Sequence, residues 1–299
     1  MTIIISGATG FIGSNLVNYF LEQKESVVAL VREKDFDSIT QSHKSLHVLE
    51  IESLNTQKFL NNVMSIYEPS KLFHAATKFI PSHESDDIPS LISSNILFGS
   101  QLLESMYRVN SSARFINICS AWQHYEGVPR LSKSLYAATK NAFQEILAFY
   151  TNSLDVASCN AVLFDTYGNN DTRKKIMQLL VEAALSESPI DLSSGNQMIN
   201  LTHVNEICLA LDIISNQETL SHIYQVSSRD TLTVRELAST IEVTLGLDIL
   251  TRWGSRSDRQ YEMLFPWKIA DVPAGWCPKV SLAQGIQMLA NSVKINFNK

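Results

Sequence analysis

The chain of 299 residues is 45% hydrophobic and 18% charged, the composition of an ordinary globular protein with one large domain or two closely joined ones. Its net charge of −6, with no basic stripe to neutralise a phosphate backbone, argues against nucleic acid as a partner. Met1-Thr-Ile-Ile-Ile5 starts a strand at once, and no apolar run is long enough to span a bilayer, so no membrane role is expected and the cytoplasm is the expected compartment.

Taken in chain order, residues 2–6, 27–31, 46–50, 71–75, 114–119 and 156–163 read as β-rich strands, and residues 13–23, 56–67, 90–109 and 135–151 carry apolar positions at helical spacing between them. This alternation is the signature of right-handed βαβ units and predicts an α/β fold with a doubly wound parallel sheet. After about Asp165 the pattern changes. Helices are expected at 174–186, 204–214, 234–245 and 282–290, with strands near Ile190 and at 223–226. The expected division is a dinucleotide-binding part at 1–165 and a smaller α/β substrate-binding part at 166–299. Elements of the two are free to interleave, and a cleft lies between them.

The first strand runs into Gly7-Ala-Thr-Gly10-Phe-Ile-Gly13, which opens a helix. Glycines at these points permit a tight turn, let the backbone approach a pyrophosphate, and bring helix against strand, while the helix N-terminus favours the negative charge. An acidic residue ending the second strand would bind the adenosine ribose and favour NAD(H). Here Val31 stands at that point and Arg32 follows, a guanidinium able to pair with a 2′-phosphate and stack on adenine. NADP(H) is therefore favoured, with NAD(H) the alternative.

Tyr136 and Lys140 stand one helical turn apart at the start of the fourth predicted helix, and Ser120 ends the apolar strand before it. Tyr-x-x-x-Lys arises by chance too readily to mean much alone, so the glycine run and the strand-end serine carry the assignment. A phenol is a poor acid or base at neutral pH unless a cation stabilises its ionised form. Lys140 is expected to supply that charge and to bond the nicotinamide ribose. Ser120 is expected to hold the substrate oxygen while Tyr136 moves the proton. The four cysteines, Cys119, Cys159, Cys208 and Cys277, form no C-x-x-C pair, and no H-E-x-x-H or G-x-S-x-G occurs. Neither a metal site nor a disulfide framework nor a serine hydrolase is indicated.

These residues resemble the extended short-chain dehydrogenase/reductases, the group of nucleotide-sugar epimerases, dehydratases and reductases with a Rossmann-type sheet. The glycine run, His74-Ala-Ala76, Asn95, the Ser120, Tyr136 and Lys140 set, Tyr167-Gly168 and Gly275-Trp-Cys-Pro278 all look like motifs of that family. The resemblance implies cofactor contacts at Gly7, Thr9, Gly10, Phe11, Ile12, Gly13, Arg32, Ala75, Ala76, Tyr136 and Lys140. It also implies substrate contacts at Ser120, Asp165 and Arg259, and a homodimer built on helices 90–109 and 135–151.

Within the group, the short interval from Ser120 to Tyr136, Ser193-Ser-Gly-Asn-Gln197 and Arg259-x-x-Glu262 are most similar to the 4-keto reductases of CDP-linked dideoxyhexuloses. The implied substrate is a CDP- or dTDP-linked keto-deoxyhexose, on a route to deoxysugars of lipopolysaccharide O-antigen. Cys119-Ser-Ala-Trp122 lacks the acidic pair of the dehydratases and carries Trp122 where the C3/C5 epimerase-reductases carry cysteine. C4 epimerisation with retained NAD, and a non-catalytic NADP sensor, are the remaining alternatives. Two arginines that the resemblance implies are replaced, by Val162 and by Ile199, so that a phosphate contact is expected to be missing or supplied elsewhere.

Overall fold

Buried strands and amphipathic helices alternate through the first half of this computed structural model, which describes residues 1–32, 43–51, 55–109, 112–169, 171–229, 231–264 and 267–297. The elements are β1 (Thr2–Ser6), α1 (Phe11–Glu22), β2 (Ser26–Val31), β3 (Leu46–Glu50), α2 (Thr56–Tyr67), β4 (Lys71–His74), α3 (Ile88–Ile92), α4 (Phe98–Val109), β5 (Arg114–Ser120), α5 (Leu135–Leu154) and β6 (Ser158–Leu163). Strand ends fall within two residues of those expected from the sequence. The second half holds β7 (Asp165–Tyr167), α6 (Ile176–Ser186), β8 (Ile190–Asp191), β9 (Met198–Ile199), β10 (Leu201–His203), α7 (Val204–Ser215), β11 (Ile223–Val226), β12 (Leu232–Thr233), α8 (Val234–Leu245), β13 (Thr251–Arg252) and α9 (Leu282–Phe297).

The main sheet has the order β11-β6-β5-β4-β1-β2-β3, and every pairing in it is parallel. This is the Rossmann-type doubly wound architecture. Chain direction across the sheet reverses between β1 and β4, which places a crevice at their carboxyl ends, the usual ligand site of such sheets. Period-two alternation decides which helices cover each face. Ile3 and Ile5 of β1 pack with Leu16 and Phe20 of α1 and Ile207 and Leu211 of α7, whereas Ile4 turns to Leu60 of α2, Leu102 of α4 and Phe143 of α5.

α6, α8 and α9 enclose a separate core that includes Met177, Leu180, Leu237, Ile241, Ile286 and Leu289. α7 and β11 do not join it. They lie on the main sheet, so residues 204–226 return to the first body after the chain has entered the second. Among the described residues no helix is long and apolar enough to cross a membrane.

The expected helix 90–109 is a helical run from Ile88 to Val109 interrupted by a π-helical turn at Ser93–Leu97. The turn carries Asn95 inward, where it is 3% exposed. Its Oδ1 accepts from Thr77 Oγ1 (3.0 Å) and the Lys78 N–H (2.6 Å), and its Nδ2 donates to the Lys78 carbonyl (3.1 Å) and Thr139 Oγ1 (2.9 Å). Asn95 thus ties the loop after β4 to α5. A widened turn of this kind commonly marks a functional position.

His74, ending β4, is buried among Phe98, Phe115 and Phe143, with Nδ1 2.8 Å from Ser6 Oγ. Burial lowers its pKa to about 3, with a further contribution from the Lys140 charge. The folded protein therefore keeps this imidazole neutral over a range in which the unfolded chain, titrating near 6.5, binds a proton. Stability is expected to fall as pH drops from about 6.5 toward 3, with this one group contributing at most about 1.4 kcal/mol per pH unit. Denaturant unfolding of wild type and His74→Gln across that range checks it: the variant should show a shallower slope, whatever its stability at neutral pH.

Candidate active site

β1 delivers the chain into its glycine turn. Gly7 has φ of 70°, and a Cβ there would stand 2.5 Å from the Ala76 nitrogen; a Cβ on Gly13 would stand 2.1 Å from the Gly7 carbonyl oxygen. Both contacts are with backbone, so the turn closes only around hydrogen. Gly10 donates to the Gly7 carbonyl at 3.0 Å and precedes α1, and no side chain caps the helix. The N–H groups of the first turn, beginning at Phe11, Ile12 and Gly13, are thereby left for an anionic group. Thr9 is half-buried within this turn, and Ala75 is held to it by its N–H on the Ser6 carbonyl (3.1 Å). Arg32 follows β2 on the same sheet edge, with an exposed side chain. The glycine cradle, uncapped helix and nearby guanidinium fit a dinucleotide with a charged pyrophosphate.

The next strands on that edge position the polar trio. Ser120 ends β5 and starts a short helical turn, in which its Oγ accepts from the Trp122 N–H (3.3 Å) and its own N–H donates to Gln123 Oε1 (2.9 Å). Ser134 caps α5 by accepting from the Ala137 N–H at 3.2 Å, a favourable start that sets Tyr136 in the first turn and Lys140 one turn on. Both are buried, at 7% and 4% exposure. The Ser120 and Thr77 hydroxyls act on the Tyr136 phenol, so the structure brings the expected trio's serine and tyrosine into one neighbourhood.

Burial pushes the Tyr136 phenol above its ordinary pKa, and Cys119 adds to this, while Thr77, Ser120 and, least of them, the charge of Arg173 pull it down. Lys140 is lowered by burial and acts on His74 and Cys119.

An aromatic wall stands over the phenol. The Phe79 ring lies 5.0 Å from Tyr136 and 5.3 Å from Trp122, and Trp122 lies 6.4 Å from Tyr136. Lys133 Nζ sits over Trp122 at 4.5 Å and Lys175 Nζ over Phe79 at 4.7 Å. Half-buried Asp165, at the start of β7, has its carboxyl raised by burial and opposed by Lys175, Lys133, the Asn200 N–H and Arg173. Burial lowers both lysines, and the exposed Arg259 lowers them further by repulsion. Asp165 and Arg259, proposed from the sequence as substrate contacts, thus belong to one cluster at the cleft.

Val162 is fully buried on β6, next to Cys119 and Ala121, and Ile199 lies in the α6, α8 and α9 core. Neither position opens on the cleft. Its cations come instead from Lys133, Arg173 and Lys175, which sequence reasoning missed along with Thr77 and Phe79. The one available signal was the basic run Arg173-Lys-Lys175 shortly after Tyr167-Gly168. Among the described residues no cluster of three or more His, Cys, Asp or Glu side chains could hold a metal ion.

Residues 3–227 match the model of the NAD dependent epimerase/dehydratase family. The chain is 27% identical over 251 residues to the CDP-abequose synthase of Yersinia pseudotuberculosis, covering 81% of this chain and 83% of that protein. It is 24% identical to the CDP-abequose synthase of Salmonella typhimurium, covering 96% of each. Among solved structures, the UDP-glucose 4-epimerase of Thermotoga maritima with UDP-glucose superposes with a TM-score of 0.85 at 18% identity, covering 99% of this chain and 100% of that one. That likeness shows the fold. The match over most of the chain, together with the glycine turn and the serine and tyrosine beside it, establishes this protein as an enzyme of the NAD dependent epimerase/dehydratase family.

Proposed function

We propose that the enzyme reduces the 4-keto group of a nucleotide-linked deoxyhexulose with NADPH. The observation that carries this reading is the buried Tyr136 phenol, beneath the rings of Phe79 and Trp122 and acted on by the Ser120 hydroxyl, beside a cluster of cations. The names of the two CDP-abequose synthases support a deoxysugar product. Cations at Lys133, Lys175 and Arg259 suit a nucleoside diphosphate, and a CDP- or dTDP-linked keto-deoxyhexose is the substrate class proposed. Phe79, 42% exposed in the cleft, offers an apolar surface to the C–H face of a sugar poor in hydroxyls.

Gly7, Thr9, Gly10, Phe11, Ile12, Gly13, Ala75, Ala76 and Lys140 would hold the cofactor, which supplies the hydride to C4 when bound. Ser120 holds the carbonyl oxygen and Tyr136 donates its proton to that oxygen, giving an alcohol. The phenol is protonated at neutral pH, the form a donor in a reduction requires; burial weakens it as an acid, and Ser120 and Arg173 offset part of that. Arg173 then steadies the phenolate until solvent restores its proton.

Tyr136→Phe should lose about a hundred- to ten-thousand-fold in kcat while retaining cofactor binding. Consumption of NADPH by wild type with a 4-keto sugar nucleotide supports reduction. Tightly retained NAD with no net oxidation would replace it with C4 epimerisation, and full turnover by the phenylalanine variant would overturn the role of Tyr136. For Arg32 the expected contact is the cofactor's 2′-phosphate. Arg32→Ala should weaken NADPH relative to NADH by about tenfold to a hundredfold, the loss of a charge-assisted hydrogen bond, as measured by calorimetry.

We also infer a cytoplasmic homodimer. Leu97 and Phe149 are 52% and 54% exposed on the helical run Ile88 to Val109 and on α5, an apolar surface that a second copy would cover. Sedimentation should show a dimer for wild type and a monomer for Leu97→Glu with Phe149→Glu; a monomeric wild type would sink the inference.

A further inference from the structure

Arg173 comes from the connection between β7 and α6, yet it reaches the first residue of α1. Its guanidinium lies 4.1 Å from the Phe11 ring centroid. Nε and Nη2 donate to Asp171 Oδ1 and Oδ2, both at 2.7 Å, and Nη2 also donates to the Thr166 carbonyl (3.0 Å) and Oγ1 (2.9 Å). Asp171 is itself 5% exposed and accepts the Arg173 N–H at 3.0 Å. A lysine in that place would keep one point charge and lose both the fork and the stacking.

Backbone conformation directs the group. Lys174 has φ of 51°, in the left-handed region that a residue with a side chain seldom adopts. It lies between Arg173, stacked on Phe11 at the cofactor turn, and Lys175, seated over Phe79 at the substrate wall. Two cations two residues apart thus reach two different aromatic rings, Phe11 at the cofactor turn and Phe79 against the phenol. Strain of this kind persists where surrounding contacts hold it, here the bonds that Arg173 makes to Asp171 and Thr166.

We propose that Arg173 is a positioning residue for the proton-donating Tyr136, seating the substrate half on the cofactor turn and holding a fixed positive charge near the phenol. The proposal rests on the reading of Tyr136 given above. Proton donation leaves a phenolate, and a guanidinium that cannot swing away stabilises it without reorganising. The polar and titratable groups that act on Tyr136 are Cys119 and Ser120 from β5, Thr77 from the loop after β4, and Arg173 from the β7–α6 connection. Arg173 in turn interacts with Asp171, Asp165 and Lys175.

The test uses a fluorinated, more acidic tyrosine installed at position 136, titrated by fluorine NMR in full-length protein without cofactor, beside calorimetry of NADPH binding. In Arg173→Met the phenol should titrate higher, by about one pH unit. Because the stack on Phe11 is gone, NADPH affinity should drop several-fold. Arg173→Lys should restore much of the phenol titration but not the affinity. Should Arg173→Met fail to fold because Asp171 is left buried and unpaired, Arg173→Met with Asp171→Asn removes that charge and is read the same way. A phenol titration and a cofactor affinity both unchanged from wild type would overturn the proposal. Loss of turnover in Tyr136→Phe alongside that null result would leave the reductase reading standing, whereas full turnover in Tyr136→Phe would remove the reading on which Arg173's role depends.

Discussion

Desolvation of two ionisable groups one helical turn apart is the constraint on which the site rests. Tyr136 and Lys140 are both withdrawn from water at the base of α5, and burial favours the neutral form of each, pushing the phenol up and the ammonium down. Neither shift would arise if α5 began a residue later or stood off the sheet. The Ser134 cap, the close packing of Phe143 and Leu147, and the Asn95 bonds to Thr77 and Thr139 fix where that helix begins and how deep it sits. Charge then enters through loops, Lys133 on the connection between β5 and α5 and Arg173 and Lys175 on that between β7 and α6.

Much of the first half was legible because a parallel strand covered on both faces reads as an apolar run with sharp ends. Ile3-Ile-Ile5, Val27 to Val31 and Phe115 to Cys119 announce themselves in this way. β8, β9, β12 and β13, by contrast, have two residues each and carry no period to detect. Nor does local pattern reveal that β11 is the seventh strand of the main sheet, since its partner β6 lies far back in the sequence. The glycine turn and the Ser120 and Tyr136 pair were readable because their chemistry demands those residue types at those spacings. Arg173, Lys133 and Phe79 were not, because lysines, arginines and phenylalanines serve many purposes and only the folded chain brings these to one cleft.

Two positions at which the resemblance implies arginine are built into the cores, and the site takes its charge from elsewhere. Val162 and Ile199 are packed apolar positions, and Asn200 beside the latter bonds the Ser228 carbonyl and accepts the Ser228 N–H, tying loops together. Positive charge at the cleft is carried by side chains from the Ser120–Tyr136 connection and from the β7–α6 connection. Aromatic rings keep two of them in place: Trp122 under Lys133 and Phe79 under Lys175. A cation seated on a ring gives up less freedom when it meets an anion than one on a free stem.

The wide turn at Ser93–Leu97 gives the two faces of this stretch of chain different fates. It takes up one residue more than an ordinary helical turn, so excising one amino acid there would restore the common pitch and leave the flanking turns in phase. The outer apolar face would stay close to where it stands. The bonds of Asn95 to the loop after β4 would go with the widening that carries it inward.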